Sequence, residues 1–528
     1  MAQSSPWRSV MRAGPAAWAV WAMVLGVGAA STTVLRSAAA AAVTEPATFH
    51  VDCRAAGGGN GSQRSPWNSL TEASAADLRP GQRLLFARGT ACSGSLEVTR
   101  SGRPGHPIVV GAYGKGPLPR IVGTGTDAVL VENSSNVTVE DLEITNEGTR
   151  DVPRRGVHVV ADGTLVRGVT LEGLSIHDVD GNLSKDTGGS GGIQLDALGT
   201  APDGRFDHIT ITDNHIDDVS RSGIFVVGTQ DDSRPPSDRA WSAGSTGIVV
   251  SHNTLAHLAG DGIVATGTVG AILEDNTVTD GNLAGTPYTQ PNAICDAGIW
   301  AWNANSSVIQ DNVVSDMQFN GCDGEGYDVD YNQDGTIVQD NISEDNGGGF
   351  ILLCTDKNPH DAEVRYNLSV GDAATIEDAP CDIGAGNVGT LDGIRMYDNT
   401  IVGPDPSVDL ELAPLTSMFA PGDFAFLDNI VDATTPRSTP MPCGDDCTHN
   451  LFFQVPPSGT DPVVGDPLFK DPVLEGTARV PMAGGFAVNP RSPAVRAGNI
   501  VNDGARQDFF GHSVPTGKPP TIGFEQVP

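Results

Sequence analysis

One phrase recurs through the middle of the chain: a short β-branched strand that closes on an asparagine, as in S-V-I-Q-D-N-V-V and T-I-V-Q-D-N-I-S. The eight asparagines, separated by 23 to 39 residues, are Asn214, Asn253, Asn276, Asn312, Asn341, Asn367, Asn399 and Asn429. Asparagines stacked in successive coils can hydrogen-bond the turn backbone and one another, whereas a simple Asx turn needs no stacking. Eight occurrences in one strand context favour stacking, and therefore a chain built from repeated coils.

A second set of strands accompanies the first, and each of its members begins at a glycine. The six glycines are Gly192, Gly223, Gly262, Gly298, Gly326 and Gly349. The first and third residues after each glycine are apolar, so the period-two geometry of a strand places them inside and the second and fourth outside. A β-propeller is the main alternative, but its blades need four strands and a steadier period near about 40 residues. The two strand types together predict an all-β parallel β-helix.

The first 42 residues contain no acid, and an apolar run at 16–30 lies between Arg12 and Arg36. This run is shorter than the roughly 20 residues that cross a bilayer. With its basic start and an alanine-rich exit at 38–42, it predicts a secretory signal peptide over 1–42, with an uncleaved anchor as the alternative. We divide the rest into an N-terminal cap with the first coils (43–130), a β-helix core with a groove (131–430), and C-terminal coils with a capping segment (431–528).

The chain is strongly acidic, with a net charge of −34 from 31 basic and 65 acidic residues. Removal of residues 1–42 takes away three basic and no acidic residues, which lowers the net charge to −37. Such a surface repels nucleic acid and anionic membranes. We therefore expect that the chain binds neither nucleic acid nor, once its signal peptide is removed, a membrane. We also expect a monomer.

All eight cysteines lie in the exported part of the chain. An even number in a secreted protein favours disulfides over a metal site or thiol catalysis. Pairing of sequence neighbours gives Cys53–Cys92, Cys295–Cys322, Cys354–Cys381 and Cys443–Cys447. The absence of a C-x-x-C motif argues against a zinc site. The cysteines thus indicate an extracellular protein.

Phrases near both ends of the chain carry a family resemblance. They are S-P-W-N-S-L-T-E-A (65–73), R-P-G-Q-R-L-L-F-A-R-G-T (79–90), G-D-P-L-F (465–469), S-P-A-V-R-A-G (492–498), D-F-F-G (508–511) and I-G-F-E (522–525). Together with the repeats, they resemble the secreted pectate-lyase-like superfamily of right-handed parallel β-helix proteins. The resemblance implies a solenoid with a short N-terminal capping helix. It implies no single reaction, because the superfamily includes lyases, hydrolases, epimerases and phage tailspikes.

Two tryptophans and two aspartates occupy outward positions on neighbouring strands. Trp300 and Trp302 follow Gly298, and Asp328 and Asp330 follow Gly326. Adjacent coils are about 4.8 Å apart, so the indoles should stack beside the carboxylates. Aromatic faces next to acids suit a sugar-binding groove. Packing beneath long loops is the alternative role for the tryptophans.

More carboxylates surround this coil than solubility requires. Asp323 and Glu325 precede Asp328, Asp296 lies on the previous coil, and Asp345 lies on the next. An exposed acidic edge without function is the simplest alternative. The cluster otherwise predicts an enzyme that acts on an extracellular polysaccharide.

Three functions compete for this cluster. In a hydrolase that needs no cofactor, one carboxyl protonates the leaving oxygen and another activates water or attacks the anomeric carbon. Asp328 and Asp330 are the central catalytic pair, Glu325 and Asp345 are the alternatives, and Trp300, Trp302, Asp296 and Asp323 bind substrate. In a pectate-type lyase, Asp323, Glu325, Asp328 and Asp330 hold calcium, and a base removes the α-proton of a uronate; its candidates are Lys185, Lys357, His158 and Arg221. A non-catalytic carbohydrate-binding solenoid needs the tryptophans but not the acids.

The sequence departs from two patterns known in this superfamily. The G-H-G and R-x-K elements of secreted polygalacturonases are absent, and so is the W-x-D-H strand of pectate lyases. The resemblance therefore supplies a location for the site but not its reaction. We place hydrolysis first, the calcium-dependent lyase second and the binding module third.

Overall fold

The structure is a computed structural model that describes residues 47–527, except 150–151, 185–187, 200–202, 230–240, 242, 284–294, 321–322, 355–359, 375, 378–391, 404–423, 439, 442–446, 473–478 and 502–503. The predicted signal peptide at 1–42 lies outside the described residues. Nearly all described secondary structure is β-strand, and the strands form three parallel sheets. Each coil passes from sheet 3 to sheet 2, then to sheet 1 and back to sheet 3. The predicted all-β parallel β-helix is confirmed.

Sheet 1 contains 15 of the described strands. In spatial order they are β1 (Thr48–Val51), β2 (Arg83–Ala87), β5 (Ile108–Tyr113), β8 (Val137–Glu140), β11 (Leu165–Glu172), β14 (Arg205–Thr212), β17 (Ser245–Ser251), β21 (Ile272–Glu274), β24 (Val308–Gln310), β27 (Ile337–Gln339), β30 (Glu363–Arg365), β33 (Ile394–Tyr397), β35 (Phe424–Leu427) and β37 (Cys447–Thr448), with β20 (Thr268–Val269) beside β17.

Sheet 2 contains 10 described strands and carries the candidate site. They are β4 (Leu96–Val98), β7 (Asp127–Glu132), β10 (Arg155–Asp162), β13 (Gly191–Leu198), β16 (Ser222–Val227), β19 (Ile263–Thr266), β23 (Ile299–Trp302), β26 (Glu325–Val329), β29 (Gly349–Leu353) and β32 (Ile376–Glu377).

Sheet 3 contains 14 described strands. They are β3 (Ala91–Ser93), β6 (Arg120–Val122), β9 (Glu143–Asn146), β12 (Ser175–Val179), β15 (His215–Val219), β18 (Thr254–Leu258), β22 (Thr277–Thr279), β25 (Val313–Ser315), β28 (Ile342–Glu344), β31 (Leu368–Val370), β34 (Thr400–Val402), β36 (Ile430–Asp432), β38 (Leu451–Phe453) and β39 (Val463–Val464).

The asparagines form a continuous ladder at the corner between sheets 1 and 3. Asn341 shows the pattern: its Nδ2 donates to Oδ1 of Asn367 at 3.0 Å and to the carbonyl of Ile309 at 2.9 Å. Its Oδ1 accepts from the backbone N–H and Nδ2 of Asn312 at 2.9 and 3.0 Å. The predicted stacking is confirmed for all eight asparagines, and Asn450 adds a ninth.

The glycines lie where the chain turns from sheet 3 into sheet 2. A Cβ added at Gly192 would lie 2.7 Å from Cγ2 of Ile216, and one added at Gly262 would lie 2.7 Å from Cγ1 of Val278. Such contacts are closer than van der Waals packing allows. Glycine is required here because the corner packs directly against the core side chains of sheet 3.

The predicted inward positions of sheet 2 hold up to β26 and fail at β29. Tyr327 pairs with Ile351, and Asp328 pairs with Leu352. Ile351 and Leu353 therefore join Phe350 in the core, whereas our alignment placed Phe350 and Leu352 inside and Ile351 and Leu353 outside. The alignment was wrong by one residue because Gly349, the last of three consecutive glycines, pairs with Glu325 and not with Gly326.

In the part of the chain that the structure describes, two short helices flank the solenoid. Helix α1 (Leu70–Ser74) begins at Ser69, whose Oγ accepts from the N–H of Glu72, which confirms the predicted N-terminal capping helix. Helix α2 is Arg479–Phe486. In the described part of the chain, neither helix is long and apolar enough to cross a membrane.

One of the four predicted disulfides is described in full. Cys53 and Cys92 are bonded, with their Cα atoms 5.5 Å apart. Cys295, Cys354 and Cys447 are also disulfide-bonded. Their predicted partners Cys322, Cys381 and Cys443 lie outside the described residues, so those three pairings stay predictions.

Candidate active site

The outward face of sheet 2 carries two rows of side chains that run along the solenoid. In the first row, parallel pairing aligns Val264 with Trp300, Trp300 with Asp328, and Asp328 with Leu352. In the second row, Thr266 pairs with Trp302. Asp330 directly follows β26 and continues this row, because the N–H of Asn303 donates to the carbonyl of Tyr331 at 3.0 Å. The structure thus brings the tryptophans and aspartates together on adjacent coils.

Trp300 lies outward of the coil but is only 4% exposed. It packs in an apolar cluster with Phe225, Val264 and Ala297. Its Nε1 donates to Oδ1 of Asp261 at 3.0 Å. In the described arrangement Trp300 is therefore a packing residue on the outward face of sheet 2, and its assignment as a sugar platform stays a prediction.

Trp302 is more exposed than Trp300 and lies at the edge of the same apolar cluster. Its ring contacts that of Tyr331, with centroids 5.0 Å apart and planes inclined at 45°. Its Nε1 is buried and has no hydrogen-bond partner among the described residues. The partly exposed ring suits a ligand that offers a flat apolar face.

The four carboxylates of the β26 segment differ in exposure. Glu325 is fully buried, and Asp328 and Asp330 are 4% and 8% exposed. Asp330 Oδ1 accepts from the N–H of Tyr331 at 2.6 Å. Asp323, in a left-handed turn with φ of 55°, is partly exposed. A substrate on this face would reach Asp323 and Asp330 more readily than Glu325.

Asp296 is fully buried, and its Oδ1 forms an ion pair with Nη1 of Arg221. Nη2 of Arg221 lies 3.1 Å from Oδ2 of Asp261, which is also fully buried. Burial alone would lower the pKa of Arg221, but Asp296 and Asp261 raise that pKa above its usual value, so the guanidinium stays charged. Asp296 is therefore held within the solenoid by Arg221, and its assignment as a substrate-binding residue stays a prediction.

Asp345 does not lie on this face. It follows β28 in sheet 3, in a left-handed conformation with φ of 52°, and its side chain is exposed. Sequence proximity to the glycines suggested a place beside Asp328. The chain still has a corner to turn before it enters sheet 2, so the catalytic assignment of Asp345 is corrected.

A second polar cluster occupies the opposite end of the same face. Nε2 of His158 lies 2.8 Å from Oδ2 of Asp196, and its Nδ1 lies 3.1 Å from Oδ1 of Asp127. Burial lowers the pKa of His158, but these two carboxylates outweigh burial and raise it above the usual value. Arg155 pairs with Asp127 and donates to the carbonyl of Gly189 at 2.8 Å. This cluster holds the neighbouring loop against the sheet.

Neither buried ion-pair network was predicted from the sequence. His158 and Arg221 were considered only as proton acceptors, and both are held by carboxylates instead. The alignment of His158 with Gln194, next but one to Asp196, was the available signal for the first network. The other proposed bases, Lys185 and Lys357, lie outside the described residues.

The described residues contain no group of three or more His, Cys, Asp or Glu side chains placed to hold a metal ion. The four proposed calcium ligands do share the β26 segment and its flanks. Their assignment to calcium stays a prediction.

The class of protein that this chain resembles is shown by a family model. A family model described as a right handed beta helix region matches residues 201–401. The handedness predicted from the resemblance is therefore confirmed. The fold and the site define a right-handed parallel β-helix with an acidic and aromatic row on one face.

Particular relatives come from two further comparisons. Lacto-N-biosidase of Bifidobacterium longum subsp. longum is 25% identical over 86% of this chain, which spans only 34% of that protein's length. The crystal structure of a GH136 lacto-N-biosidase from Eubacterium ramulus has a TM-score of 0.62 at 24% identity, covering 73% of this chain and 67% of that chain. The complex of XylC with xylose has a TM-score of 0.54 at 13% identity, covering 91% and 98%. The two structural likenesses establish the fold alone.

Proposed function

We propose that this chain is a carbohydrate-active enzyme that hydrolyses glycosidic bonds by carboxylate chemistry on the outward face of sheet 2. The observation that carries the proposal is the pair of adjacent coils in which the partly exposed Trp302 lies beside Asp330, with Asp328 two residues earlier on the same segment. An accessible indole next to carboxylates matches the flat apolar face and the polar edge of a sugar ring.

The chemistry needs one carboxyl that carries a proton and one that is ionised. The protonated carboxyl gives its proton to the glycosidic oxygen as the bond to the anomeric carbon breaks. The ionised carboxylate either takes a proton from the attacking water or bonds to the anomeric carbon, and water then releases the sugar. Asp330 and Asp328 are our principal candidates. Asp323 joins them because it is the most exposed acid of the segment.

The relatives support this function over the binding module and the lyase. Two similar proteins, from Bifidobacterium longum subsp. longum and Eubacterium ramulus, are lacto-N-biosidases. Glycosides of lacto-N-biose are therefore the first substrates to test, followed by polysaccharides. Because the chain spans a third of the bifidobacterial protein, the substrate stays part of the proposal.

An extracellular location and a monomeric state complete the proposal. The Cys53–Cys92 disulfide supports an oxidising compartment. The surface charge supports a neutral rather than strongly anionic sugar.

The deciding experiment is a panel of lacto-N-biosides, neutral polysaccharides and uronate polysaccharides, each incubated with the protein in the presence and absence of EDTA. We expect new reducing ends, unaffected by EDTA, and no absorbance from unsaturated uronates. EDTA-sensitive release of unsaturated uronates would replace the hydrolase with the calcium-dependent lyase. Binding without any cleavage would leave a carbohydrate-binding solenoid.

A further inference from the structure

Arg221 is a fully buried arginine in the corner between β15 and β16. Its backbone adopts φ of 71°, a left-handed conformation that costs energy for any residue other than glycine. Its side chain runs along the solenoid and meets Asp261 on the next coil and Asp296 on the coil after that. One guanidinium thus ties three successive coils together.

The neighbouring coil makes room for this side chain. A Cβ added at Gly260 would overlap Nη1 of Arg221 and lie 3.0 Å from Oδ2 of Asp296. Gly260 has no left-handed φ that would itself call for glycine. The glycine is therefore explained by the passage of the guanidinium over its Cα.

The second carboxylate of the network is compensated by neutral donors. Oδ1 of Asp261 accepts from Trp300 Nε1 at 3.0 Å and from the N–H of Ala297 at 3.2 Å. Its Oδ2 accepts from the Oγ of Ser222 at 3.1 Å. Buried charges are tolerated when they are paired and hydrogen-bonded in this way. Through Asp261, Arg221 fixes Trp300 and the start of β23.

Through Asp296, Arg221 reaches the acidic segment itself. The backbone of Asp296 pairs with that of Asp323 in a parallel bridge. The N–H of Gly324 donates to the carbonyl of Asp296 at 3.0 Å, and the N–H of Gly298 donates to the carbonyl of Glu325 at 3.0 Å. The turn that carries Asp323 and leads into Asp328 is thus anchored on a residue that Arg221 holds.

We infer that Arg221 is a positioning residue for the proposed hydrolysis, holding the β23 and β26 strands in the register that sets the acids against the substrate. The inference rests on the proposed function. It needs no contact between Arg221 and the sugar, because the guanidinium is fully buried. Displacements near 1 Å can cost about 10²-fold in rate, so the effect is expected mainly on kcat.

The test compares Arg221→Met with Arg155→Met. Arg155 is a buried arginine on the same sheet that also pairs with an aspartate, but far from β26. We expect Arg221→Met to lower kcat by about 10²-fold with KM changed less than about threefold. Arg155→Met should lose similar thermal stability and keep kcat within about threefold of the parent. Equal loss of kcat in both variants, or full kcat in Arg221→Met, would overturn the inference.

Two further variants keep the test decisive if Arg221→Met does not fold. Arg221→Lys retains the charge but can hold only one carboxylate well, so it should recover part of the lost kcat. Gly260→Ala keeps the arginine and displaces its guanidinium, so it should lower kcat in the same direction. Normal kcat in both variants would contradict the positioning role.

Hydrogen exchange separates this inference from the proposed function. In Arg221→Met or Arg221→Lys, the amides of Gly298 and Gly324 should exchange faster, while those of β10 should not change. This readout needs no substrate, so it holds even if the parent protein cleaves nothing on the panel. Unchanged exchange at Gly298 and Gly324 would show that Arg221 does not position these strands.

Discussion

The asparagine corner and the outward face of sheet 2 are both columns of side chains that run along the same solenoid, yet they are built differently. In the corner, every coil repeats one residue, and each amide satisfies the next. On the face, the residue changes with each coil, from valine to tryptophan to aspartate in the first row. Repetition of asparagine stabilises the fold because each side-chain amide hydrogen-bonds to the identical amide of the next coil. The outward face of sheet 2 does not repeat one residue, and this is where we propose that the molecule binds a sugar.

The sharpest test of this contrast is an aspartate on the face. Asp330→Asn keeps the size of the side chain and removes its charge, so activity on a cleaved substrate should fall by about 10²- to 10⁴-fold with the melting temperature nearly unchanged. Asp275→Asn, at an exposed position of the asparagine corner, is the matched control and should keep normal activity. If Asp330→Asn, Asp328→Asn and Asp323→Asn all turn over normally, the face is not the active site.

The converse test is an asparagine in the corner. Asn341→Ala leaves buried donors of Asn312 and the carbonyl of Ile309 without partners. At about 1–3 kcal/mol for each buried unsatisfied group, unfolding free energy should fall by about 3 kcal/mol or more. Denaturant titration measures this, with the half-buried Gln339→Ala as control. A loss no larger than the control's would show that the ladder is not a source of stability.

A change of pH tests the part of the corner where the aspartates beside the ladder are buried. An aspartate directly precedes several of the ladder asparagines. Asp213 and Asp275 are exposed, whereas Asp398 and Asp428 are buried. Burial raises the pKa of Asp428 to about 7, although the N–H of Asn499 donates to it, and burial together with the charge of Asp428 raises the pKa of Asp398.

Because the folded state holds these protons more tightly than the unfolded chain, the stabilisation is complete below about pH 4 and is lost as the pH rises towards about 7. Thermal melts from pH 4 to 8 should show this loss, and Asp428→Asn should reduce it. A melting temperature that rises steadily across this range in the parent, with no change in slope in the variant, would contradict the assignment.

The smallest expected effect separates the two tryptophans of the face. Trp302→Ala should raise KM about fivefold to tenfold with little change in kcat, because stacking acts on ground and transition states alike. Trp300→Ala should instead lower thermal stability, because that ring fills a buried cluster. Kinetics and melts on both variants check this. If Trp302→Ala binds normally, the ring packs against Tyr331 without serving the ligand.

The features that recur in every coil could be predicted from the sequence. The asparagine ladder, the glycine corners and the row that joins Trp300 to Asp328 were readable because each depends on the same spacing in every coil. The register of β29 was not, because a run of three glycines leaves the position of the extra residue open.

The chemistry of the site was predicted less well. Which acids are buried depends on how neighbouring coils cover them, and no periodicity reports that. Asp296 and Asp345 both lie close to a glycine in sequence, yet one is enclosed with Arg221 and the other is on a different sheet. The buried networks of Arg221 and His158 join residues up to 75 positions apart, and single-residue spacing cannot reveal such pairs.

The ladder also has a direction. From Asn214 to Asn429, each side-chain amide donates to the asparagine of the following coil, and Asn450 at the end donates to the backbone of Phe426. Amide dipoles aligned head to tail polarise one another, so each bond strengthens the next. The hydrogen bonds of the ladder are therefore cooperative rather than independent. The changes in unfolding free energy caused by substitutions at two ladder asparagines should not be additive. Loss of an asparagine near the middle of the ladder leaves two shorter and weaker runs of aligned amides, whereas loss of Asn450 only shortens the ladder.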